Sequence, residues 1–92
     1  MVLAKQDTEE AEIRQEIIQV LEKRGIGKTC CPSEIPRKLF PKRWRDYMTL
    51  TRLTAVEMAK EGLLDICQRG KKVENYNLKG PIRLRLKSSF TE

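Results

Sequence analysis

Apolar residues in the first part of the chain recur at helical spacing. Ile13, Ile17, Val20 and Leu21 share one face of a helix. Asp7 or Thr8 can cap that helix, and Glu9, Glu10 and Glu12 suit its positive first turn. Lys23 and Arg24 suit its negative end, and Gly25 stops it. Residues 1–6 read as a disordered N-terminus ahead of it.

Thr29-Cys30-Cys31 is β-tolerant but too short for more than a strand stub. Pro32-Ser33-Glu34 opens a second helix, with Ser33 as N-cap and Pro36 in the first turn, where a missing N–H costs little. Ile35, Leu39 and Phe40 face inward, Pro41 ends the helix, and Pro41-Lys42-Arg43 forms a turn. A third helix runs from Trp44 to about Lys60. Trp44, Tyr47, Met48, Thr51, Ala55, Met58 and Ala59 gather on one side of it, and Gly62 ends it.

The period then changes. Leu63 to Gln68 reads as a strand, and Arg69-Gly70-Lys71-Lys72 as a basic turn. Residues 73–79 are polar and irregular, and Gly80-Pro81 is a breaker. Ile82 to Lys87 alternates strictly, with Ile82, Leu84 and Leu86 toward the core and Arg83, Arg85 and Lys87 toward water. Residues 88–92 read as a C-terminal tail. The order predicts a mainly α protein with a small β-hairpin (α+β). Its form is a winged helix-turn-helix over residues 7–87, with three helices and a two- to three-stranded antiparallel wing.

Charge adds a direction to this picture. The 92-residue chain carries a net +6, unevenly spread. Residues 1–24 hold six acids and four bases, whereas residues 25–92 hold seven acids and 15 bases. A basic body behind an acidic first helix suits a polyanionic partner, and a merely solubilising surface is the plainer alternative. No apolar run approaches the roughly 18 residues of a membrane span, and Met1-Val2-Leu3-Ala4-Lys5 does not open a secretory signal. The expected compartment is the cytoplasm.

The chain lacks the usual equipment for catalysis. It has no histidine, the commonest general base, and no G-x-x-x-x-G-K-[ST], G-x-G-x-x-G or G-x-S-x-G motif. Three cysteines, two of them the adjacent Cys30 and Cys31, fall short of a four-ligand zinc set. The expectation is a binding module rather than an enzyme, with no metal, cofactor or small-molecule substrate inferred.

If the third helix is a recognition helix, Arg43, Arg45, Thr49 and Arg52 are candidates for the DNA major groove. Lys42, Arg69, Lys71 and Lys72 are candidates for phosphate contact. The alternatives are solvated bases, or internal pairs with Asp46 and Glu57. On the final strand, Arg83, Arg85 and Lys87 fit edge protection against aggregation better than phosphate contact. Trp44 reads as a plug for the turn, with a base-stacking platform as the alternative. Leu50, Leu53 and Val56 lie beside the basic face and could form a protein-partner or homodimer contact, unless they pack under the wing.

Several short motifs fit together. Cys31-Pro32-Ser33-Glu34-Ile35, Trp44-Arg45 with Met48, Arg52 and Ala55, Gly62, Gln68-Arg69-Gly70 and Lys79-Gly80-Pro81-Ile82-Arg83 form a signature. It resembles an uncharacterised bacterial winged-helix family, one of the domain-of-unknown-function families, over roughly residues 10–87. The resemblance implies the fold and brings no biochemical role, catalytic residue or ligand residue with it. The doubled cysteine departs from the pattern, in which Cys31 is the expected member.

Overall fold

The computed structural model describes residues 4–74, 76 and 79–87. The chain runs α1 (Ala4–Arg24), β1 (Thr29–Cys30), α2 (Glu34–Leu39), a 3-10 turn (Trp44–Tyr47), α3 (Met48–Lys60), β2 (Leu64–Gln68), β3 (Lys71–Lys72) and β4 (Arg83–Leu86). It is a mainly helical α+β fold with three helices and one antiparallel sheet. The sheet has four strands in the order β1-β4-β2-β3, more than the two or three the sequence suggested. The added strand is β3, because the ladder continues past the basic turn through Cys67↔Lys72 and Gln68↔Lys71. Helix α1 starts at Ala4, ahead of the expected cap. Of the terminus expected over residues 1–6, residues 4–6 are helical; residues 1–3, the tail over 88–92 and positions 75, 77 and 78 of the irregular stretch lie outside the described residues. Among the described residues, no helix is long and apolar enough to cross a membrane.

The core forms where the two periodicities meet. Ile13, Ile17 and Leu21 of α1 are buried, as are Ala55, Met58 and Ala59 of α3. The inward row of the sheet, Cys30, Leu64, Ile66, Leu84 and Leu86, packs in the same cluster with Ile35 and Ile82. Burial of this apolar surface is the main force holding the elements together. Gly62 closes α3 at φ +85, a conformation that suits glycine. Leu63 N–H donates to Met58 O at 3.0 Å, and Gly62 N–H to Ala59 O at 3.0 Å, so the last turn is satisfied before β2 begins.

The start of α2 corrects one expectation. Ser33 is already helical (φ −65, ψ −19) and makes no side-chain cap bond. The cap lies two residues earlier: Cys31 N–H donates to Glu34 Oε2 at 3.0 Å. This is half of a capping box, with Cys31 in the place of the usual serine and Pro32 in the first helical turn. The Ser33 hydroxyl meets Cys31 Sγ at 3.2 Å instead. The Glu34 carboxylate also pairs with Arg24 at the end of α1, tying α2 to α1. The Arg24 hydrogen bond is the chief cause holding the Glu34 carboxyl below its ordinary range, with burial opposing it.

A depressed folded pKa contributes stability above the ordinary carboxylate range, and that stability is lost as pH falls through the folded value. Glu34→Gln is therefore expected to shrink the difference in urea midpoint between pH 7 and pH 3. A difference equal to that of the parent protein would show that the pair contributes nothing.

The outer face of the sheet corrects a second expectation. Strand β4 is internal, pairing with β1 through Thr29↔Arg85 and with β2 through Cys67↔Arg83. Its charges are therefore not edge protection. The edge strands are β1 and β3, and Lys71 and Lys72 of the exposed β3 suit that role. Asp65, nearly buried on this face, holds Arg85 at 3.1 Å and Lys72 at 3.6 Å. Arg83 donates to Thr29 Oγ1 at 2.7 Å.

Candidate nucleic-acid interface

The β2–β3 hairpin is built by a tight turn. Gln68 and Lys71 pair across a two-residue loop, and Arg69 and Gly70 both have positive φ, at 53 and 80. Two positive φ values define a type I′ turn, whose twist matches the flanking strands and which favours Asn-Gly. Arginine in the left-handed region costs on the order of 1 kcal/mol relative to residues that enter it freely. The outcome is an exposed guanidinium at the tip of the hairpin.

Behind this tip lies a cleft of about 710 Å³ lined by Arg69, Lys71, Lys72 and Lys79, with Gln68 and Pro81 among the others. One wall is the Lys79-Gly80-Pro81 segment, whose three carbonyls are all engaged. The Gln68 side-chain amide donates to Lys79 O at 2.8 Å and to Pro81 O at 3.4 Å. Arg52 of α3 donates to Gly80 O at 3.1 Å. These bonds give part of the signature a physical meaning: Arg52, Gln68 and Gly80-Pro81 form one clip joining α3, β2 and the approach to β4. Arg52 is thus half-buried and tied to the approach to β4, and its guanidinium joins the helix to the basic cleft.

At the other end of the helix, the turn into α3 is a 3-10 segment rather than the first turn of one continuous helix. Its tighter winding breaks the single angular count used to place Trp44 and Arg45. Phe40 and Tyr47 stack here with centroids 3.9 Å apart. Tyr47 O–H donates to Glu9 Oε2 at 2.7 Å, fastening the turn to α1. The carboxylate acceptor is the first cause raising the Tyr47 pKa.

The candidate bases differ in how far they are neutralised internally. Arg43 pairs with Asp46 at 3.1 Å, so Asp46 serves Arg43 rather than Arg45 or Arg52. Lys72 pairs with Asp65 and, at 3.8 Å, with Glu74. Lys42, Arg45, Arg69 and Lys71 are exposed and have no ion-pair partner among the described residues. Thr49 is exposed on α3. Arg45 lies over the Trp44 ring, its Cζ 4.6 Å from the centroid, and Arg37 of α2 lies over the same ring at 4.1 Å. Sequence reasoning did not single out Arg37. Its spacing to Trp44 carries no periodic signal, because a turn separates them.

The apolar candidates separate as well. Leu50 and Val56 pack against the core, while Leu53 is 59% exposed. Of the cysteines, Cys30 lies in the core, where burial is the chief cause pushing its thiol up to about 11. It therefore stays protonated and unreactive at neutral pH.

Three helices backed by a small antiparallel sheet, with a basic hairpin clipped to α3, define a small mainly α-helical α+β domain with bases at the hairpin and at the turn into α3. Over residues 10–87 the chain matches the family described as Protein of unknown function (DUF3253), and it belongs to that family. A search of the curated proteins finds no match.

Proposed function

We propose that this domain is a winged helix that binds nucleic acid, namely double-stranded DNA, through α3 and the hairpin turn at Gly70. The observation that carries the reading is Arg69. A long cation held in left-handed backbone, where asparagine would be easier, points to a use for its charge. In this reading Arg43, Arg45, Thr49 and Arg52 address the major groove, while Lys42, Arg69, Lys71 and Lys72 address phosphate. The bases lacking internal partners supply most of the attraction, and Arg43 and Lys72 exchange carboxylates for phosphates on binding. A cytoplasmic setting goes with the reading, since three free thiols persist in a reducing compartment. The element order and the clip at Gly80 support the winged-helix assignment. A protein contact through Leu50, Leu53 and Val56 has less support, because two of the three pack inward and one exposed side chain remains.

Arg69→Asn separates structure from function. The substitution creates the favoured Asn-Gly turn and is expected to stabilise the domain by about 0.5–1 kcal/mol. The same variant is expected to bind a labelled duplex more weakly, read by fluorescence anisotropy. Stabilisation with unchanged affinity would remove the role given to Arg69. A parent protein that binds no duplex at low salt would remove the function itself.

A further inference from the structure

We infer that the Arg37–Trp44–Arg45 cluster reads phosphate, which moves Arg45 from the base edges to the backbone, and that it makes the domain select duplex over single-stranded nucleic acid. The inference rests on the nucleic-acid reading above and adds a basis for rejecting single strands and a residue, Arg37, outside the third helix and the hairpin. Proteins that bind single strands offer aromatic faces on which successive bases stack. Here Trp44, the ring among the bases, is already engaged. Both guanidiniums lie over the Trp44 indole. Phe40 and Tyr47 stack on each other at an interplanar angle of 19°. Tyr76 packs against the core. Among the described residues, then, every aromatic ring already has a partner within the fold.

Admitting a base onto Trp44 would displace a guanidinium and lose its cation–π contact. A phosphate makes no such demand. A guanidinium lying on an indole keeps the N–H groups at its edge available, and those groups suit the oxygens of a phosphate. Stacking also limits the freedom each arginine must surrender on binding. Arg37 and Arg45 are exposed, and neither has an ion-pair partner among the described residues. Lys42 and Arg43 flank the cluster in sequence and add cationic density. A duplex presents regularly spaced phosphates with its bases stacked inside, which is the ligand this surface accepts without rearrangement.

The test compares a labelled duplex with a single strand of equal phosphate count at matched low salt. Anisotropy gives affinity, and emission of Trp44, the single tryptophan, reports on the ring. The duplex is expected to bind more tightly and to leave Trp44 emission largely unquenched at saturation. The double variant Arg37→Gln/Arg45→Gln, whose changes are both at exposed positions, is expected to lower the slope of log K against log salt by about 2. Equal or tighter single-strand binding with quenched Trp44 emission would overturn the inference. So would duplex binding by the double variant with an unchanged slope, and that outcome would leave duplex binding itself intact. Failure of the parent protein to bind either ligand would overturn the nucleic-acid reading and this inference with it.

Discussion

Leu84→Ala is expected to destabilise the domain by about 2–5 kcal/mol, the range for truncating a buried leucine. Leu84 has no exposed surface and sits mid-sheet, opposite Cys30 of β1 and Ile66 of β2. Its side chain points into the cluster shared with α1 and α3, so its removal opens a cavity between the layers. Neighbours fixed in two ladders and two helices cannot easily collapse into that space. In a domain of this size each kcal/mol shifts the melting temperature by about 4–8 °C. A fall on the order of 10 °C or more in thermal denaturation is therefore expected. Arg83→Ala, one residue away, leaves the core full and should cost far less. A Leu84→Ala midpoint within a degree or two of the parent would mean that the sheet does not pack on the helices through this row.

The largest expected effect on binding comes from neutralising the β2–β3 hairpin. With Arg69, Lys71 and Lys72 all changed to glutamine, each lost phosphate contact lowers the log K–log salt slope by about 0.9. If all three touch phosphate, affinity at about 0.1 M salt falls on the order of 10²-fold. The sequence context moderates this figure. Lys72 already faces Asp65 and Glu74, so its share of the slope is expected to be smaller than that of Arg69 or Lys71. The changes lie on an exposed turn and edge strand, so the fold should survive them. Salt titrations of the parent and the triple variant on one duplex check the prediction. Parallel lines for the two proteins would exclude the hairpin from the phosphate contact.

Much of the fold was legible from periodicity. The α1 face at Ile13, Ile17 and Leu21 and the alternation at Ile82, Leu84 and Leu86 both mark positions that are buried. These patterns are local and repeat, so a single sequence carries them. What it did not carry were contacts between distant segments. The cap of α2 moved from Ser33 to Cys31 because Glu34 reaches back to the Cys31 N–H. The internal place of β4 depends on β1, whose two residues look like no more than a stub until a partner pairs with them.

The candidate site divides in the same way. Clustering of bases at Arg69, Lys71 and Lys72 is visible in the sequence, and so is the run Lys42-Arg43. The internal commitments of Arg52 to Gly80, of Arg43 to Asp46 and of Lys72 to Asp65 are not, because each depends on side-chain reach in the folded chain. The same holds for Arg37 over Trp44, two residues that belong to different elements.

The central claim is one of location: α3 and the Gly70 turn bind the duplex, and the acidic first helix faces away. An amide NMR titration of the intact chain with a short DNA duplex tests it most directly. The account predicts saturable, salt-sensitive shifts concentrated at residues 42–53 and 69–73, with the outer face of α1 unchanged. Shifts centred on α1, or no shifts at low salt, would contradict it.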